Sequence, residues 1–181
     1  MERKKELLNL ILDRRSCRSY RPEPLDRPTL AAIVEAGRYA PSAMNQQKCH
    51  LYVITDRELL HQISAAVSAN LKRFANTDCT YGAPALILVT NRRDNSCALQ
   101  DAACAMENMM LAACAMGVGT CWINQPYYLD QNPQMRALLA PLGVTEEEQL
   151  CCSLALGLPE GPLFPGRRER SGNAVTWVPE D

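Results

Sequence analysis

The chain has 181 residues, 47% of them hydrophobic and 22% charged. That length suits one domain with a core that needs neither disulfides nor metal, and the composition excludes wholesale disorder. Nineteen Lys+Arg against 20 Asp+Glu leave a net charge of -1, which argues against a general nucleic-acid binder, usually a basic protein.

The N-terminus, MERKKELLNLILDRR, begins with charge, has only Leu7 to Leu12 as an apolar stretch, and lacks a small-residue cleavage site. It does not read as a signal peptide. The longest apolar run, Met109 to Met116, falls short of the roughly 18–20 residues of a membrane span. A cytoplasmic protein without membrane contact is expected. Nine cysteines, an odd number without a secretion signal, fit buried free thiols in a reducing interior better than a disulfide framework. There is no CxxC and there are only two histidines, so no metal site is expected. Cys151 and Cys152 are adjacent in an apolar run, where alternation predicts opposite faces.

Leu7, Leu8, Ile11 and Leu12 form one stripe of a first helix, Lys4 to Arg14. Asp26 is placed to N-cap a second, with Leu30, Ile33, Val34 and Gly37 inward. A polar loop, Ser42 to Lys48, leads to a strand from His50 to Thr55. Asp56 caps a third helix whose spacing carries Leu59, Leu60, Ile63, Val67, Leu71 and Phe74. Pro84 opens a wholly apolar strand, PALILVT, expected in the middle of a sheet. Leu99 to Met116 reads as a helix buried on several sides, closed by Gly117. Strands follow at Gly119 to Asn124 and Leu150 to Leu156, with a short helix at Pro133 to Leu139 between them. Ala174 to Val178 is a candidate last strand. The chain therefore reads as α+β, one domain over residues 1–181 with 157–181 as a tail, and a sheet of four to five strands surrounded by helices. No dinucleotide glycine fingerprint or P-loop is present.

Four polar clusters could carry chemistry. Arg14, Arg15, Ser16 and Arg18 offer guanidinium forks and a hydroxyl suited to a phosphate. The same residues also suit a solvated helix C-terminus, where cations favour the dipole. Ser42, Asn45 and Gln47 supply mixed donors and acceptors in a loop. Arg167, Arg168 and Arg170 form a second basic cluster in the tail, and Trp122 with the strand end Ile123–Asn124 could border a flat ring. No Ser/His/Asp or Cys/His pattern points to a catalytic side chain.

Together these segments resemble the nitroreductase family, in its short members. The resemblance rests on RRSCRSY at Arg14 to Tyr20, EAGRYAPSAMNQQ ahead of HLYVIT, and YGAPALILV. It continues through AMENMMLAACAMGVGTCWIN, LALGLPEG and the arginine tail. It implies a mixed sheet in a homodimer with FMN at the subunit interface. Arg14, Arg15, Ser16 and Arg18, with Arg168 and Arg170, would hold the phosphate and ribityl chain. Ser42, Asn45 and Gln47 would come from the other subunit, and Trp122, Ile123 and Asn124 would lie beside the isoalloxazine ring. The implied activity is electron transfer from a reduced donor such as NAD(P)H, through flavin N5, to nitroaromatic, quinone or similar acceptors in a ping-pong cycle. A flavin-storing or redox-sensing protein with little turnover is the alternative. The cofactor would do the hard chemistry. Three features depart from the family pattern: Lys48-Cys49 stands where Pro-Trp is common, the polar contact ahead of the second strand is unassigned between Asn76 and Asp78, and Asn124-Gln125 lacks the acidic residue that some larger members have there.

Overall fold

The computed structural model describes residues 2–163 and 169–178. Three of its α-helices start where the sequence supplies a side-chain cap. The Asp26 carboxylate accepts the Thr29 N–H at 2.7 Å and opens α2 (Arg27–Arg38), following α1 (Glu2–Asp13). Asp56 accepts the Leu59 N–H at 2.8 Å and opens α3 (Arg57–Asn70), and Asn132 accepts the Met135 N–H to open α5 (Pro133–Leu139). Each cap satisfies an N–H left over in a first turn, typically worth about 1 kcal/mol.

α3 ends sooner than its apolar spacing predicts. Leu71 adopts an extended conformation, and the chain continues as a 3₁₀ turn over Lys72–Phe74. Leu71 and Phe74 nonetheless pack on the core, because a tighter turn returns them to the same side. α4 (Ala98–Ala115) matches its expectation. Ala102, Ala105, Met106, Met109 and Ala113 are all buried, and Gly117 takes the left-handed conformation just beyond its end.

Four strands, β1 (His50–Ile54), β2 (Ala85–Arg92), β3 (Gly119–Ile123) and β4 (Glu148–Gly157), form one sheet in the order β1-β2-β4-β3. All three pairings are antiparallel. The parallel element that a mixed sheet requires is a single bridge, Ser16 to Thr120. β2 is central, as its unbroken apolar run predicts. Its side chains alternate: Leu86 and Leu88 join a core with Ile63 and Val67 of α3 and Met135 and Leu139 of α5. Ala85, Ile87 and Val89 join a second core with Ile33 of α2 and Met106 and Met109 of α4. The sheet is thus sandwiched between two helical layers. Gly37 lets α2 approach α4 closely, since a Cβ there would stand 2.8 Å from Met109 Cγ.

Two further expectations fail. Cys151 and Cys152 do not face opposite ways: both belong to the α2/α4 core. The register shifts between Val89, paired with Cys152, and Thr90, paired with Leu150, which leaves Cys151 as the extra residue of a β-bulge. Ala174–Val178 is not a strand in the protomer, and Val175, Trp177 and Val178 are exposed. All nine cysteines are free; five, among them Cys79, Cys121 and Cys152, are buried. Burial pushes the Cys79 thiol up to about 11 and that of Cys151 to about 12, which suits inert core residues.

Candidate functional site: the open edge of the sheet

The first arginine cluster is fixed by its backbone. The Arg14 N–H closes the last turn of α1 on the Leu10 carbonyl at 3.0 Å. The chain then runs beside β3: Ser16 bridges Thr120, and the Cys17 N–H donates to the Thr120 carbonyl at 2.7 Å. The approach is so close that a Cβ at position 119 would stand 2.8 Å from Cys17 Sγ, which explains Gly119. Farther on, the Tyr20 hydroxyl donates to the Cys17 carbonyl at 2.7 Å, and Tyr20 itself bridges Pro159. Gly157 makes room for Tyr20 and Pro84, each of which a Cβ would meet within 3 Å.

The two readings of this cluster divide by residue. Arg15 is a helix-end residue: its guanidinium donates to the carbonyls of Leu12 and Arg14 at 2.8 and 2.7 Å. Arg14 Nε lies 3.6 Å from Glu107 Oε1 on α4, an ion-pair distance longer than a hydrogen bond. Arg18 is exposed and lies over the Tyr81 ring, 5.9 Å from its centre. Sequence reasoning missed Tyr81; its one signal is an aromatic residue in the polar turn ahead of β2. It takes a left-handed φ of 58°. The turn that imposes this is built by Asp78. The Asp78 carboxylate accepts from Ser64 Oγ (2.8 Å), the Thr80 N–H (2.9 Å), Thr80 Oγ1 (2.7 Å) and the Gly82 N–H (2.7 Å). Burial pushes its pKa up, but these hydrogen bonds outweigh it and hold the carboxyl below its ordinary value. Asp78 therefore acts on its own turn, and the Asn76 N–H donates to Ser68 Oγ.

Trp122 sits on edge strand β3, two residues beyond Thr120, and is 37% exposed. Its indole N–H donates to Asn124 Oδ1 at 3.1 Å. Ile123 is buried in the core, so only its backbone can serve a site. The parallel sense of the Ser16–Thr120 bridge sends Arg18 in the same direction as Trp122. Cations, a hydroxyl and a flat aromatic thus lie along one edge, with Trp122 on the face of β3 opposite Cys121 and Ile123.

Ser42, Asn45 and Gln47 are anchored elsewhere. The Ala43 N–H donates to Asp101 Oδ1 in the first turn of α4 at 2.8 Å. Glu107, the partner of Arg14, lies about 9 Å farther along that helix at 1.5 Å per residue. Within the loop, Ser42 Oγ accepts the Gln47 N–H at 3.0 Å, and Asn45 Oδ1 accepts from Gln47 Nε2 at 3.0 Å. Met44, Asn45 and Gln47 have φ of 51°, 53° and 52°, each a strained choice costing on the order of 1–3 kcal/mol. Arg170 is exposed in the tail, and Arg168 lies outside the described residues. None of the described residues forms a metal-binding group of three or more His, Cys, Asp or Glu. No described helix is long and apolar enough to cross a membrane.

Residues 11–158 match the family model described as Nitroreductase family. The chain belongs to the nitroreductase family. It is 31% identical over 160 residues to a protein of Archaeoglobus fulgidus with the provisional name NADH dehydrogenase/NAD(P)H nitroreductase, covering 86% of each chain. A nitroreductase with bound FMN from Bacteroides fragilis superposes with a TM-score of 0.87 at 33% identity, over 96% of this chain and 99% of that one. A second, also with bound FMN, from Desulfitobacterium hafniense, gives 0.83 at 26% identity over 96% and 98%. The family match contains every site segment except the arginine tail.

Proposed function

We propose that this nitroreductase-family chain is an FMN-dependent oxidoreductase that takes electrons from NAD(P)H and delivers them to nitroaromatic, quinone or similar acceptors. The observation that carries the reading is the β3 edge, where the Arg14–Arg18 segment is pinned by backbone at Ser16 and Cys17 along the strand that carries the exposed Trp122. Its donor set fits a flavin mononucleotide. Guanidinium groups and a hydroxyl match a phosphate, and a flat aromatic on a strand edge matches a heterocycle. When bound, FMN supplies a ring that accepts hydride from one partner and passes electrons to another.

The protein's part is to bind and orient. Arg14, Ser16 and Arg18 hold the phosphate and ribityl chain together with Arg168 and Arg170 of the tail; Arg15 contributes next to them and braces the end of α1. Trp122 and the backbone of Ile123 and Asn124 border the ring. Donor and acceptor use one open site in turn, a ping-pong cycle, and no side chain is needed as nucleophile or base.

The site is shared between two copies. The Ser42–Gln47 loop, held in strained conformations and with Met44 90% exposed, is shaped to reach a partner. The apolar stripe Leu7, Leu8, Ile11 and Leu12 of α1 is 45–56% exposed in the protomer, a patch suited to an interface. β1 is the other edge of the sheet, and a cleft of about 600 Å³ lined by Leu25, Leu30, Val34 and Val53 opens beside it. The unpaired AVTWV tail of a second copy supplies the kind of strand that edge accepts. Stopped-flow mixing of the flavin-loaded protein with NADH and NADPH tests the reading. Rapid bleaching of the flavin by either is expected; slow bleaching by both would favour a flavin store.

A further inference from the structure

Resting on that reading of the flavin site, we infer that Asp101 is a positioning residue. Through a buried polar relay, Asp101–Asn95–Asn91, it clamps both feet of the loop that completes the partner's site. Asp101 is only 5% exposed. Its Oδ1 accepts the Ala43 N–H at 2.8 Å, at the start of the loop. Its Oδ2 accepts from Asn95 Nδ2 at 3.0 Å. The same Asn95 amide also donates to Asn91 Oδ1 at 3.1 Å, while Asn95 Oδ1 accepts the Cys97 N–H at 3.0 Å. Asn91 is fully buried, and its Nδ2 donates to Cys49 Sγ at 3.3 Å, at the far end of the loop. The relay therefore grips the chain at residues 43 and 49. Between these points lie Met44, Asn45 and Gln47, three non-glycine residues with left-handed φ.

A loop held in unfavourable conformations needs fixed ends, and here both ends meet one network. The chemistry is specific. Asp101 must accept at both oxygens, and a carboxylate accepts without donating. Asparagine at 101 would turn a donor toward either the Ala43 N–H or the Asn95 amide. Asn95 cannot flip to compensate, because its own oxygen holds the Cys97 N–H. The relay also gives Cys49 a physical role. In place of the more usual Pro-Trp, a thiol of suitable size receives the Asn91 amide, and burial pushes its pKa up to about 11, keeping it protonated and unreactive.

The test measures FMN dissociation from the full-length holoenzyme by flavin fluorescence, together with visible circular dichroism of the bound flavin. Asp101→Asn should weaken FMN retention about tenfold, the effect of one unsatisfied buried group. It should also change the dichroism band as the loop variant Asn45→Ala/Gln47→Ala does. Added to that loop variant, Asp101→Asn should cost less than about twofold more, because it acts through the same residues. Cys49→Ala should weaken retention about two- to threefold and Cys49→Ser should restore it, since a hydroxyl still accepts. Wild-type retention and dichroism in Asp101→Asn would overturn the clamp alone, as would a full tenfold loss on top of the loop variant. Should Asp101→Asn fail to fold, the Cys49 pair decides: Cys49→Ala equal to wild type overturns it. A wild type that retains no FMN overturns the flavin reading and the clamp with it.

Discussion

The two faces of the sheet are finished to different degrees. On the α3/α5 face, Ile63, Val67, Met135 and Leu139 are fully buried, and the polar groups at its margin are matched within the chain. Asp130 accepts from Arg93 Nη1 at 2.7 Å, from the Arg136 guanidinium at 2.5 Å and from the Leu150 N–H at 2.8 Å. On the face carrying α1, α2 and α4, the helices bury their inner sides but leave Leu7, Leu8, Ile11 and Leu12 exposed, with a strained polar loop nearby. One chain completes the first face, and the second keeps an exposed apolar stripe on which the proposed second copy would dock. The Ser42–Gln47 loop, tied to Asp101, and Arg14, paired with Glu107, both meet α4 on this open face.

The contrast can be broken by substitution. The largest effect belongs to the closed face. Asp130→Ala takes one acceptor from each of Arg93 and Arg136 and leaves the Leu150 N–H without its own; in this half-buried network the loss should be about 3 kcal/mol, the upper end for hydrogen bonds to a charged group, and urea denaturation measures it. On the open face, Ile11→Asp should leave the protomer folded but dissociate the proposed dimer at micromolar concentration. It would forfeit about 1.5–3 kcal/mol of burial in each copy. Light scattering reads this, and a variant that remains dimeric would remove α1 from the interface.

Arg18→Ala should weaken FMN binding by about 1.5–3 kcal/mol, the usual worth of a hydrogen bond to a charged group. The loss should be much smaller for riboflavin, which has no phosphate. Equal losses for both ligands would place Arg18 at the ribityl chain or in the fold. The smallest effect is that of pH. Burial pushes the Glu148 carboxyl up, but hydrogen bonds from the Thr145 N–H, Thr90 Oγ1 and Tyr52 outweigh this and hold it below its ordinary value. A group depressed on folding stabilises above its unfolded pKa, and that stability is lost as pH falls through the folded value. The melting temperature should therefore decline below about pH 4, the ordinary carboxylate range. Glu148→Gln should flatten the decline.

Much of the fold was legible because its signals are local. Asp26 and Asp56 announce helix starts through one carboxylate and the next turn, and β2 announces its central place through an apolar run. The end of α3 was not legible, because Leu71 and Phe74 keep core contact without staying α-helical. Nor was the bulge at Cys151, which depends on register with β2. At the site, the residue types of Arg14–Arg18 and Ser42–Gln47 mark two polar clusters. What holds them did not show, because the Thr120 carbonyl, Tyr81 and Asp101 act across long stretches of chain. An aspartate in the first turn of a helix reads as a favourable charge near the dipole. Nothing local tells that its oxygens grip residues 43 and 95.

The central claim is that each flavin site takes its arginines from one copy and its Ser42–Gln47 loop from the other. Mixing two inactive variants tests it most directly. Homodimers of Arg18→Ala and of Asn45→Ala/Gln47→Ala should each bind FMN poorly at both sites. A heterodimer of the two places both defects in one site and leaves the other intact. Tandem-tagged heterodimers should therefore hold one tightly bound FMN per dimer with wild-type affinity. Heterodimers with two equally weakened sites would contradict the account.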